Sequence, residues 1–172
     1  MARRQMREFK SEDEFEQKLV DLARVTRVMA GGKRMRFRAC LVIGNRKGQI
    51  GYGLAKGNDV ALAMGKALRM AKKNLITVFT VKGTLPHEIR FKYKAAKIIL
   101  KPAVAGKGIK AGGVIRIILE LAGVQSATSK ILGSKNKVNN VRATFLALEK
   151  LKPIEEKPVE PLKDEKIDLD NF

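Results

Sequence analysis

The chain has one cysteine and one histidine among its 172 residues, and no tryptophan. A lone Cys40 excludes an intramolecular disulfide framework and a cysteine-based zinc site, and it suits a reducing cytoplasm. Cys40 itself reads as a small buried hydrophobe. His87 cannot build a metal cluster alone and reads as a surface or turn residue. Long apolar runs are missing too. Nothing approaches the roughly 20 residues a spanning helix needs, and the richest apolar stretch is interrupted by Arg116 and Glu120. The amino terminus, MARRQMREFK, has no apolar core, so no secretory signal is expected.

Acids are scarcest where the rest of the chain is densest in charge. Between Leu22 and Leu148 only Asp59, Glu88 and Glu120 stand against 26 basic residues. Chemistry that depends on carboxylates has little to work with there. Paired carboxylates, a Ser/His/Asp set and metal-ligand spacing are all lacking, so no catalytic residue, metal, cofactor or small-molecule substrate is expected.

What is present is positive charge on a globular background. Lysine and arginine number 36 against 17 acids, a net charge of +19, and 45% of residues are hydrophobic. The excess is uneven. Residues 153–172 hold three lysines and seven acids, which leaves net +23 on the first 152 residues. Self-repulsion of that size opposes compaction unless a polyanion neutralises it, and nucleic acid is the leading candidate through counterion release. The length allows one ordinary domain or two small ones.

The stretch Arg24 to Gly57 organises the chain. It reads as three short strands joined by turns at Gly31-Gly32 and at Asn45-Arg46-Lys47-Gly48. Arg34, Arg36 and Arg38 alternate with Met35, Phe37, Ala39, Leu41 and Ile43, so one face is expected to pack while the other presents guanidinium groups about 7 Å apart. Two readings of that face stand: an edge strand kept soluble by charge, or a row of phosphate contacts.

Around it, residues 1–10 form a basic flexible arm. Ser11 with Glu14 suggests a capping box, and Phe15, Leu19, Leu22 and Ala23 predict a helix from about 12 to 23. Asn58 is expected to cap a second helix carrying Val60, Ala63, Met64, Ala67, Leu68, Ala71 and Leu75, with Lys66, Arg69 and Lys73 on its other side. This gives an α-β-β-β-α unit over residues 11–78, the layout of a double-stranded-RNA-binding-type domain. A strand is expected over Leu75–Lys82, with the domain junction near 75 to 85. The second domain, residues 79–152, should contain a hairpin (Ile89, Phe91, Tyr93, then Lys97 to Lys101), a helix stopped by Gly123, a strand near 125 to 131 and a helix near 139 to 152. The fold class is therefore α+β, in two small domains. Residues 153–172 are Pro-punctuated and acidic, and read as a disordered tail that could damp nonspecific RNA binding.

Two glycine-rich stretches could cradle phosphate. AGKGIKAGG (105–113) leads into a helix with Lys107 and Lys110 beside it, yet it is neither a Walker A loop nor a placed dinucleotide fingerprint. GYGLAKGND (51–59) allows the same reading or a plainer one, in which the glycines let a strand pack closely. The basic residues expected to contact phosphate and sugar are Arg24, Arg27, Lys33, Arg34, Arg36, Arg38, Arg46, Lys47 and Lys56. In the second domain they are Lys107, Lys110, Arg116, Lys130, Lys135 and Arg142. A stand-alone RNA chaperone, and a phosphotransferase built on AGKGIKAGG, remain as other classes.

Many short motifs also line up in order. They include Arg24-Val25, Gly31-Gly32-Lys33, Val42 through Gly44, Gly48, Gly51-x-Gly53, Lys56, Asp59-Val60 and Lys72-Lys73-Asn74. The second half adds Gly83-Thr84-x-Pro86-His87, Pro102-Ala103, Gly106-x-Gly108, Ala111-Gly112-Gly113, Arg116, Leu119-Glu120, Ala122-Gly123-Val124, Gly133-Ser134-x-Asn136 and Val141 to Thr144. On these residues the chain resembles the bacterial small-subunit ribosomal protein five family over residues 11 to 151. It departs from the family pattern at Ala30 (usually basic), Ala55 and Lys94 (usually Gly), and Ala61 and Lys137 (usually Pro). The resemblance implies a double-stranded-RNA-binding-like first domain and a second with a left-handed β-α-β crossover. It further implies a non-enzymatic cytoplasmic protein that binds small-subunit ribosomal RNA, supports assembly and decoding accuracy, and neighbours proteins four and eight near the messenger RNA entry path. Thr26, Ala30, Gly31, Gly32 and Lys33 match the hairpin tip that reaches toward the spectinomycin site.

Overall fold

A computed structural model describes residues 15–152. The basic arm, the Ser11–Glu14 capping box and the acidic tail lie outside the described residues. The described chain runs β1 (Glu16–Met29), β2 (Gly32–Gly44), β3 (Gln49–Gly57), α1 (Val60–Lys73), β4 (Leu75–Thr77), β5 (Ile89–Tyr93), β6 (Ala96–Pro102), β7 (Ile109–Lys110), α2 (Gly113–Ala122), β8 (Ala127–Ile131) and α3 (Lys137–Glu149). The fold is α+β. An antiparallel sheet in the order β1-β2-β3-β4 precedes a mixed sheet in the order β5-β6-β8-β7, whose β7 and β8 run parallel across the α2 connection.

The helix expected from about 12 to 23 is a strand over its described part. Residues 16–29 pair with β2 throughout, from Glu16 opposite Gly44 to Met29 opposite Gly32. A register shift between Leu19 and Asp21 breaks the alternation there. Val20 enters the core while Leu19 and Leu22 stay partly exposed, which imitates helical spacing. Two smaller expectations also change. The α1 N-cap is Asp59 rather than Asn58, and its carbonyl accepts from the Ala63 amide at 3.0 Å without a side-chain cap. The strand expected over Leu75–Lys82 shortens to β4, followed by a single bridge between Val81 and Thr84.

The tight packing of α1 explains the glycines of β3. Ala63, Ala67 and Ala71 recur every four residues and are fully buried. Gly57, Gly53 and Gly51 lie beneath them, and a Cβ on Gly53 or Gly51 would collide with the carbonyl of Ala67 or Ala71 respectively. GYGLAKG is therefore a close-packing strand. Ala55 keeps its methyl group and packs with Leu41, Ile43, Ala67 and Ala71.

The other face of the first sheet does not meet water where it leaves the hairpin. Val20, Cys40, Val42 and Ile50 join Leu85, Ile98, Leu100, Ile115, Ile118, Leu121, Val141 and Leu148 in one continuous core. At roughly 1.5–3 kcal/mol per large apolar side chain, this shared layer holds the two sheets together. The seam has polar stitches as well. The Arg46 and Gly48 amides donate to the Leu121 and Ala122 carbonyls at 2.9 and 3.0 Å. Gly44 and Gly123 permit that approach, since a Cβ on either would strike the Leu121 or Arg46 carbonyl.

Candidate nucleic-acid interface

β1 and β2 extend as a two-stranded arm past the end of the core. Residues 39–44 of β2 are buried, whereas Gly32 to Arg36 are exposed on both faces. Met35, expected to pack inward, is 48% exposed for that reason, and Val28 is 73% exposed. The turn at the tip uses positive φ at Gly31 (84°) and Gly32 (144°), which glycine adopts without a steric cost.

Register assigns the basic side chains to faces. Arg27 is opposite Arg34, Val25 opposite Arg36 and Arg38 opposite Lys56, so these share one face. Arg27, Arg34, Arg36 and Lys56 line a concavity of about 290 Å³ with Val25, Thr26 and Met29. No acid lies in that lining. Arg24 and Lys33 pair with Phe37 and Val28 and project from the opposite face. The tip positions Thr26, Ala30, Gly31, Gly32 and Lys33 are all exposed.

Arg38 is not presented with Arg34 and Arg36. It is half-buried, and its Nη2 donates to Asp21 Oδ2 at 3.2 Å. Asp21 also faces Lys137 Nζ at 3.5 Å, so one carboxylate ties β1, β2 and α3. Arg46 and Lys47 stand at the far end of the sheet, about 40 Å of strand from the tip. Arg46 is bonded there to Glu16 through Nε at 2.8 Å. Lys18 pairs with Glu120 on α2 at 3.0 Å. Several of the scarce acids are thus spent on internal pairs, and among the described residues no carboxylate pairs with Arg27, Arg34 or Arg36.

In the second half, Lys107, Lys110, Arg116, Lys130 and Lys135 are exposed but scattered over a loop, β7, α2, β8 and the α3 approach. Arg142 differs. It is partly buried on α3 and its Nη1 donates to Tyr93 Oη at 3.2 Å, which holds the tyrosine below its usual pKa and raises that of the guanidinium. Tyr52 and Phe145 stack obliquely nearby across the seam, 4.6 Å between centroids. Arg142 braces the junction. Cys40 is buried in the same core, and desolvation followed by the Asp21 charge pushes its thiol up to about 11.

The glycines of AGKGIKAGG serve the backbone: Gly106 and Gly108 hold positive φ (83° and 69°), and Gly112 is the α2 N-cap. The family model described as Ribosomal protein S5, N-terminal domain matches residues 15–79. That described as Ribosomal protein S5, C-terminal domain matches residues 91–159. The chain belongs to the ribosomal protein S5 family. Membership makes it a structural, RNA-binding constituent of the small ribosomal subunit, with the ribosome as its location. The register adds basic residues that the sequence reading left out. Arg90, Lys92, Lys97 and Lys101 share the exposed face of the second sheet with Lys130. Their alternation with Ile89, Phe91 and Tyr93 was the available signal.

Proposed function

We propose that this S5-family chain grips small-subunit ribosomal RNA with the β1–β2 arm, using Arg27, Arg34, Arg36 and Lys56 for phosphate and sugar. The supporting observation is the convergence of these four cations on one acid-free concavity, on an arm that extends beyond its own core. Contacts of this kind fix position and orientation, and RNA shape supplies specificity. Arg24 and Lys33 extend the contact to the reverse face. The exposed tip, Thr26 with Ala30 to Lys33, reaches toward the spectinomycin site. In the assembled subunit the protein supports assembly and decoding accuracy, beside proteins four and eight and near the messenger RNA entry path. Lys107, Lys110, Arg116, Lys130 and Lys135 add weaker contacts, while Arg38 and Arg142 position the elements that carry the others.

Arg34→Ala with Arg36→Ala should weaken RNA binding and reduce the salt dependence by about two units of slope or slightly less. An unchanged slope rejects the assignment of this face. In cell lysate the wild-type chain should sediment with the small subunit at stoichiometric level. A stand-alone RNA chaperone would remain in the light fractions.

A further inference from the structure

The second sheet has an edge that the described chain leaves unpaired. β5 bonds β6 on one side, and no described strand lies along its other side. Its side chains fall into two sets. Ile89, Phe91 and Tyr93 turn toward the core and α3: Lys150 Nζ lies 5.0 Å from the Phe91 centroid and Arg142 bonds Tyr93. All three nonetheless stay only half-buried. Arg90 and Lys92, between them, are exposed on the reverse face. Lys92 stands opposite Lys97, and like charges so placed oppose pairing. Neither lysine meets a carboxylate of a described residue, whereas Glu88 bonds Arg90 and Lys101 at 3.1 Å each. An open edge is either guarded by its charges alone or closed by another strand.

We propose that residues 167–171 of this same chain, IDLDN, add to that edge as a fifth strand of the second sheet. Ile167 and Leu169 alternate with Asp168 and Asp170, which is the period of a strand with one apolar and one acidic face. Laid along β5, the apolar pair extends the half-buried row of Ile89, Phe91 and Tyr93. The two aspartates then fall beside Arg90 and Lys92. Both matches hold in the same register, and a slip of one residue would lose both. Length fits as well. β5 has five residues, and no proline follows Pro161 to interrupt a ladder. The described chain ends at Lys152, two residues past the lysine that covers Phe91, so it leaves beside β5. Residues 153–166 can span roughly 45 Å, far more than the spacing of about 5 Å between neighbouring strands. The other edges suit the segment less. β4 and β7 are three and two residues long, and β1 carries a register shift. Tethering sets the local concentration of the segment on the order of millimolar, so a strand that would pair weakly as a free peptide stays docked. Docked, it neutralises two unpaired cations and closes the edge to a second copy of the chain. None of this depends on what the β1–β2 arm binds.

The experiment compares amide hydrogen exchange, read by nuclear magnetic resonance, in the full chain and in a chain ending at Lys163. Every second amide of β5 points away from β6, and these report on the edge. They should exchange about tenfold or more slowly in the full chain than in the shortened one. The full-length Ile167→Pro, Leu169→Pro variant keeps all the tail's charge but cannot complete the ladder, so it should exchange as fast as the shortened chain. Equal exchange in the full and shortened chains overturns the proposal. Protection that survives the two prolines also overturns it, because charge attraction without a strand would then account for the slowing. Protection that rises with protein concentration assigns the edge to a second copy, and overturns it too.

Discussion

Lys94 occupies a backbone conformation that a side chain disfavours. It sits at φ 52° in the β5–β6 turn, a conformation glycine adopts without steric cost. The left-handed region costs a residue with Cβ roughly 1–2 kcal/mol, and the contact of Lys94 Nζ with the Tyr93 ring at 5.8 Å returns only part of it. Lys94→Gly should therefore raise stability by about 1 kcal/mol, read as a higher urea midpoint with unchanged slope. Cys40 carries a second consequence at this scale. Its thiol titrates near 9.0 when exposed and near 11 when folded, so the folded state holds the proton longer. Stability should then fall as pH rises from about 9 to 11 and be flat in this respect below 9. Cys40→Ala should lessen that alkaline loss in parallel denaturation curves, and no difference between the two proteins would count against the burial account. Folded Cys40 should also resist alkylation at pH 8 until denaturant is added.

Elements show why some of the sequence was legible and some misleading. The α1–β3 contact can be read from Gly51, Gly53, Gly57 and Ala63, Ala67, Ala71 once strand and helix periods are set side by side. Gly53→Ala tests it: the added methyl meets the Ala67 carbonyl, and overpacking of this type costs roughly 1–3 kcal/mol or more. A thermal midpoint equal to the wild type would refute the close approach. β1 misled for a physical reason. Its bulge at Val20 breaks the two-residue period, and its acids serve distant partners. Glu16 meets Arg46 and Asp21 meets Arg38 and Lys137, none of them local in sequence. Likewise Met35 satisfies the inward pattern of β2, but the arm has left the core by that residue.

At the scale of the whole molecule, the two sheets share a core, and Asp21 links them where that core meets the basic arm. Asp21→Asn should cost roughly 1.5–3 kcal/mol, since charged hydrogen bonds to half-buried Arg38 are lost. Because Val20, Cys40 and Val42 pack among Leu100, Ile118 and Leu148, unfolding of wild-type protein should be a single transition by circular dichroism and by calorimetry. Two separated transitions would mean that the seam contributes little. Lys137 stays exposed while lying 3.5 Å from Asp21, so its charge is partly shared with that carboxylate.

By itself the sequence determined the sign and scale of the charge, the scarcity of acids in the central region, the local periods of β2, α1, β5, β6 and α3, and through its motifs the family. These are properties of composition and near neighbours. Tertiary structure decided which cations are free. Arg34 and Arg38 have the same local pattern, yet only one of them is near a carboxylate from another strand. It also decided that the face carrying Cys40 and Val42 is covered, and that no described element packs over the face carrying Lys92 and Lys97. Burial and ion pairing depend on what packs across from a residue, and that partner is fixed by contacts far apart in the chain.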